Sequence, residues 1–177
     1  EVETAISQYD PAGHAIHRKM DKARSGQSDY RTEKLPRARQ RYINEVELFF
    51  LYGAPLKWAI KEGQDADAFE DYKEYIKDLR MDSIFRKAKR VAGAETESAI
   101  LFHIYREDDG NPYVKPMILS HSAGYTLRPL FDQYGNMLAF GYGYNLKQGT
   151  KTVEYFDLQT ATTIYKCYKS PTGWEVE

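Results

Sequence analysis

At about Thr96 the spacing of apolar residues changes from helical to alternating, and aromatic residues crowd into the second half. Helices come first and strands after, an order that specifies an α+β fold rather than a parallel βαβ sheet. The expectation is an N-terminal helical lobe followed by a Tyr-rich antiparallel β meander.

Within the first half, residues 35–55 read LPRARQRYINEVELFFLYGAP. Pro36 suits the first turn of a helix, and Leu35 before it is held extended. Ala38, Tyr42, Val46, Phe49 and Phe50 recur at helical spacing, with Arg37, Arg39, Arg41, Asn44 and Glu47 mostly on the other side. The aromatic stripe is therefore expected in the core, and truncating Phe49 or Tyr42 to Ala is expected to cost about 3 kcal/mol or more. Gly53 is expected in a left-handed cap, and Pro55 forbids continuation. A second helix, capped by Asp65 or Asp67, carries Phe69, Tyr72, Ile76 and Leu79 on its apolar stripe and pairs Glu70 with Lys73 and Glu74 with Lys77 outside. A third helix is expected to begin at Asp82 or Ser83 and to stop at Gly93. Its Ile84, Phe85, Ala88, Val91 and Ala92 share one face, and Arg86, Lys87, Lys89 and Arg90 share the other.

Residues 1–34 hold few large apolar side chains and read as an extended or partly disordered arm. Residues 35–93 make the helical part and residues 94–177 the antiparallel β part. In that last part, Ala99–Arg106 and Tyr113–Leu119 flank Glu107-Asp108-Asp109-Gly110-Asn111, where Asp-Gly supplies a positive-φ turn. Tyr125–Phe131 and Met137–Leu146 flank a second turn, Asp132-Gln133-Tyr134-Gly135-Asn136. Lys151–Leu158 pairs back across Gln148-Gly149-Thr150, and Thr163–Lys169 precedes a turn at Ser170-Pro171-Thr172-Gly173. The strand from Met137 sets Leu138, Phe140, Tyr142, Tyr144 and Leu146 on one face. Its other face carries Ala139, Gly141, Gly143 and Asn145, small enough for close approach.

No constellation of catalytic type stands out, and the chain reads as a non-enzyme without cofactor or metal. Gly141-Tyr142-Gly143 lacks a third glycine and lies inside a strand pattern, so it fails the dinucleotide fingerprint. The DDG carboxylates read as a turn, since their spacing is not that of a calcium loop. Ser120-His121-Ser122 reads as a loop with local hydrogen bonds, because nothing around it marks a nucleophile elbow. His14 and His17 share a helical face but lack a third metal ligand nearby. Cys167 is the only cysteine, which excludes an intrachain disulfide and fits a reducing compartment. No run of about 18 apolar residues or secretory signal occurs, so a soluble intracellular protein is expected. The chain lacks an initiator Met and ends just after a turn signal, which suggests a piece of a longer protein, truncated at its C-terminus.

The formal net charge is −1, so any contact with nucleic acid has to be local. Arg37, Arg39 and Arg41 on the first helix, with Arg86, Lys87, Lys89 and Arg90 on the third, are the candidate contacts for phosphates or an acidic neighbour subunit. The competing reading is a solvated helix surface. The fifteen tyrosines suit protein–protein contact, each burying a large ring at low rotamer cost while keeping a polar tip.

Several segments in one order resemble the first half of the portal proteins of tailed bacteriophages. They are YDPAGHAI with a basic run after it, RARQRYINEVELFFLYGAP, the helix closing at Ala92-Gly93, LFHIYREDDGN, LRPLFDQYGNMLAFGYGY, and KTVEYFDLQTATTIYKCYK followed by Trp174. The set covers nearly all of residues 9–177. The resemblance implies the wing portion of a ring subunit, usually twelvefold, at a capsid vertex of the virion, assembled in the cytoplasm of a bacterial host. It implies terminase, capsid and head-completion proteins as partners and double-stranded DNA passing through the assembled channel. Two other readings follow from residues alone: a nucleic-acid-binding module using the basic helices, and a carbohydrate-binding β module using Tyr142, Tyr144 and Trp174.

Overall fold

The computed structural model describes residues 1–19, 36–106, 108, 110 and 112–177. The chain divides into two compact units, Glu1–Thr96 and Glu97–Glu177, helices in the first and antiparallel strands in the second, an α+β fold.

The first unit contains α1 (Val2–Tyr9), two 3-10 turns (Pro11–Gly13 and Ala15–Arg18), α2 (Arg39–Tyr52), α3 (Ala66–Asp78) and α4 (Met81–Glu95). α4 packs against each of the other three, and Ala5, Leu48, Met81 and Ala88 are buried. The extended arm is thus corrected over residues 2–9, which form a helix; residues 20–34 lie outside the described residues. Composition misled there because α1 buries only the small side chain of Ala5, and docking on α4 supplies the rest of its support.

The buried face of α2 also differs from expectation. Leu48 and Asn44 are its buried residues, both 4% exposed, whereas Tyr42 and Phe49 are 72% exposed and Phe50 is 80% exposed. Gly53 ends the helix in right-handed geometry, not in a left-handed cap. α3 begins as expected, with Asp65 Oδ1 accepting from the Asp67 and Ala68 amides at 3.0 and 3.1 Å. Glu70 and Lys73 pair at 2.8 Å on its surface. Between α3 and α4 the chain turns at Arg80, held left-handed at φ 53°, so α4 starts one residue before the expected Asp82. α4 also runs through Gly93 to Glu95 and stops at Thr96, again left-handed at φ 72°. Gly93 stays helical because it serves packing: a β-carbon there would overlap the Asn44 amide.

The second unit holds two sheets. β1 (Ala99–Arg106) and β2 (Pro112–Leu119) pair antiparallel from Ala99 opposite Leu119 to Arg106 opposite Pro112. Of the turn expected between them, Glu107, Asp109 and Asn111 lie outside the described residues, and Gly110 takes φ 78°. β3 (Thr126–Phe131), β4 (Met137–Gln148), β5 (Lys151–Thr160), β6 (Ile164–Ser170) and β7 (Gly173–Val176) follow one another in a five-stranded meander. β7 adds a strand after the expected Ser170–Gly173 turn. The β3–β4 turn is organised by Asp132, whose Oδ1 accepts from the Tyr134 and Asn136 amides, both at 2.8 Å. Hydrogen bonds from the Asn136 side chain and backbone hold the Asp132 carboxyl below its ordinary pKa.

Alternation along β4 sorts its faces as the sequence implies. Leu119 of β2, with no exposed surface, packs with Leu127 and Tyr142, and Leu101, Tyr125, Phe140 and Tyr144 close around them. On the opposite face the Phe156 ring lies over Gly141, in the space a β-carbon would take.

Candidate functional site

The structure divides the basic residues of the first unit into two groups. Arg86, Lys89 and Arg90 of α4 all reach α2. Arg86 donates to the Tyr52 carbonyl at 2.6 Å, Lys89 pairs with Glu47 at 2.7 Å, and Arg90 holds Glu45 through two bonds of 2.9 and 3.1 Å. Its hydrogen bond to the Glu45 carboxylate raises the Arg90 guanidinium above its ordinary pKa. These contacts are partly exposed, so each contributes only a few tenths of a kcal/mol to about 1 kcal/mol, with the forked Arg90 pair at the upper end. The α4 group therefore staples two helices and faces Glu45 and Glu47 of its own chain.

Arg37, Arg39, Arg41 and Lys87 are exposed and, among the described residues, belong to no ion pair. Arg37 and Arg39 line a cleft of about 770 Å³ with Arg18 and His14, beside the first turn of α2. Arg18 is the residue that sequence reasoning passed over, because it sits 19 positions before Arg37 and only folding joins them. His14 and His17 do not converge on a metal site: His14 Nε2 lies 2.8 Å from the Gln8 carbonyl oxygen and His17 Nε2 3.1 Å from that of Pro11. Among the described residues no group of three or more His, Cys, Asp or Glu side chains gathers to hold a metal.

In the second unit two tyrosines converge on one acid. Tyr142 of β4 faces Asp157 of β5 in register, and its hydroxyl donates to Asp157 Oδ2 at 2.9 Å; Tyr144 donates to Oδ1 at 3.4 Å. Asp157 is 6% exposed and Tyr142 8%. Burial first, then the Asp157 hydrogen bond, raises the Tyr142 phenol well above its ordinary pKa; burial and the Asp157 charge push Tyr144 up to about 12. Tyr144 stacks on Tyr155 with ring centres 5.6 Å apart, and Tyr155 continues to Tyr168 at 6.5 Å. A signal for Asp157 was present in EYFDLQT, where an acid stands at a position that alternates inward with Tyr155.

The opposite face carries a cleft of about 830 Å³, lined among others by Gly143, Phe156, Trp174, Arg128, Glu154 and Cys167. Phe156 and Trp174 meet edge to face at 6.1 Å, and Lys169 bridges to Glu154 at 2.7 Å while lying 5.8 Å from the Trp174 ring centre. The constellation of Tyr142, Tyr144 and Trp174 does not assemble as a sugar platform, because Tyr142 is buried on the other side of the sheet. Ser120 and Ser122 sit in a tight turn, with the Gly124 amide donating to the His121 carbonyl at 2.9 Å and the Ser120 hydroxyl 3.2 Å from that of Ser122. Among the described residues no helix is long and apolar enough to cross a membrane.

No protein-family model matches the chain, and no curated protein matches it.

Proposed function

We propose that this chain is a structural module of a phage or prophage portal ring subunit, its wing portion, whose work is subunit contact rather than catalysis. The ordered resemblance over residues 9–177 supports this reading. The observation that carries it is the outward face of α2. Tyr42, Phe49 and Phe50 stand exposed in the very segment, RARQRYINEVELFFLYGAP, that resembles the portal family. A helix that turns its aromatics outward and its Asn44 inward has a surface suited to a protein neighbour. In a ring that neighbour is the adjacent subunit, met through one repeated heterologous contact. Terminase, capsid and head-completion proteins are then the outer partners at a capsid vertex, and DNA passes through the assembled channel.

Particle imaging of the complete gene product tests the proposal. Closed rings are expected, and the paired change Phe49→Ser with Phe50→Ser is expected to lower ring yield while leaving the melting of the 177-residue chain within a few degrees. A stable monomer at micromolar concentration under every salt condition overturns the reading and favours the nucleic-acid-binding alternative.

A further inference from the structure

The cleft beside the start of α2 concentrates positive charge and, among the described residues, has no carboxylate in its lining. Arg18 comes from the second 3-10 turn, Arg37 and Arg39 from the entry into α2, and His14 completes a wall whose lining residues include no carboxylate. Among the described residues none of the three guanidiniums has an ion-pair partner, in contrast to Arg90 and Lys89 on α4. Their position adds to the imbalance. α2 has no acidic residue in its first turn, and Ala38 offers no side-chain cap. The positive end of the helix dipole therefore meets further positive charge, an arrangement unfavourable in the free chain and relieved by an anion. Folding has gathered residues from two segments into one cleft, where none of the described residues balances their charge.

We propose that this cleft binds phosphate groups, the planar guanidiniums of Arg18, Arg37 and Arg39 taking the oxygens in forked pairs. Arginine suits that geometry because its donors match a phosphate edge two at a time. A cleft of about 770 Å³ is wide enough for more than one phosphate, so a phosphodiester backbone and a small polyphosphate share the required chemistry. This assignment stands apart from the ring reading, which rests on the aromatic face of α2.

Two probes separate the sources: a fluorescently labelled random-sequence 20-base-pair DNA duplex, read by anisotropy across a salt series, and inorganic pyrophosphate, read by calorimetry at low salt. Binding of the duplex assigns the backbone as the source, and binding of pyrophosphate alone assigns a free polyphosphate; either supports the cleft. Combining Arg18→Ala, Arg37→Ala and Arg39→Ala is expected to weaken binding about tenfold or more and to reduce the salt slope for DNA by about 3. Arg37→Lys with Arg39→Lys should recover part of the affinity, and Lys151→Ala in the second unit should leave it unchanged. Circular-dichroism melts confirm that each variant is folded. Absence of binding by both probes, an unaltered triple variant, or equal loss in Lys151→Ala overturns the proposal. Ring formation is read separately, so either idea can fail without the other.

Discussion

The side-chain amide of Asn44 occupies the space where a β-carbon on Gly93 would stand, and its Nδ2 donates to the Arg90 carbonyl at 2.9 Å. α2 and α4 therefore approach most closely through a buried polar side chain and a glycine. Among the described residues Asn44 Oδ1 has no hydrogen-bond partner, so the contact is held by packing and a single bond. Gly93→Ala should lower stability by about 2 kcal/mol, although alanine is intrinsically the better helix former by about 1 kcal/mol. Urea unfolding measures it. Asn44→Ala in the Gly93→Ala background should return part of the loss; a stabilised single variant would show that the close approach is absent.

The inverted face of α2 gives a second expectation. Leu48→Ala should cost about 2–5 kcal/mol, whereas Phe49→Ala and Phe50→Ala should stay within about 0.5 kcal/mol in the isolated chain. Chemical denaturation of the three variants orders them directly.

Thr96 closes α4 at φ 72°, a left-handed conformation unfavourable for a β-branched residue. Thr96→Gly removes that strain, partly offset by the greater freedom of glycine in the unfolded chain. A net gain of about 0.5–1 kcal/mol is expected in thermal or urea unfolding.

Alkaline pH probes the Tyr142–Asp157 pair. Both Tyr142 and Tyr144 have folded pKa values raised above the unfolded value of about 10, Tyr144 to about 12. Above pH 10 the unfolded chain releases these protons before the folded chain does, so it binds fewer protons and stability falls as pH rises. The contribution is complete below pH 10 and is lost progressively up to about pH 12 for Tyr144. Tyr142→Phe with Tyr144→Phe should flatten that slope in unfolding measured from pH 9 to 12, while costing about 1–3 kcal/mol at neutral pH by leaving the buried Asp157 carboxylate without its donors.

Much of the fold was legible because it follows from local pattern. The change of period near Thr96, the Asp65 cap and the positive-φ Gly110 of the β1–β2 turn each act within a few residues, and the strands appear close to their expected bounds. Periodicity shows that a helix has two faces; it does not show which one is covered. On α2 the aromatic face carries more apolar area, yet Leu48 and Asn44 are buried, and Asn44 packs on Gly93 of α4, a close approach that a large ring cannot make. The same limit applies to charge. Spacing identified Arg39, Arg86 and Arg90 as basic helix residues and also placed Arg37 on the helix, although α2 starts only at Arg39; tertiary packing alone set Arg90 against Glu45 and brought Arg18 to the cleft of Arg37 and Arg39. Sequence by itself determined the elements and their order, since capping, turn chemistry and side-chain period are local. Tertiary structure decided which faces are buried and which charges are left open, since both depend on residues distant in the chain.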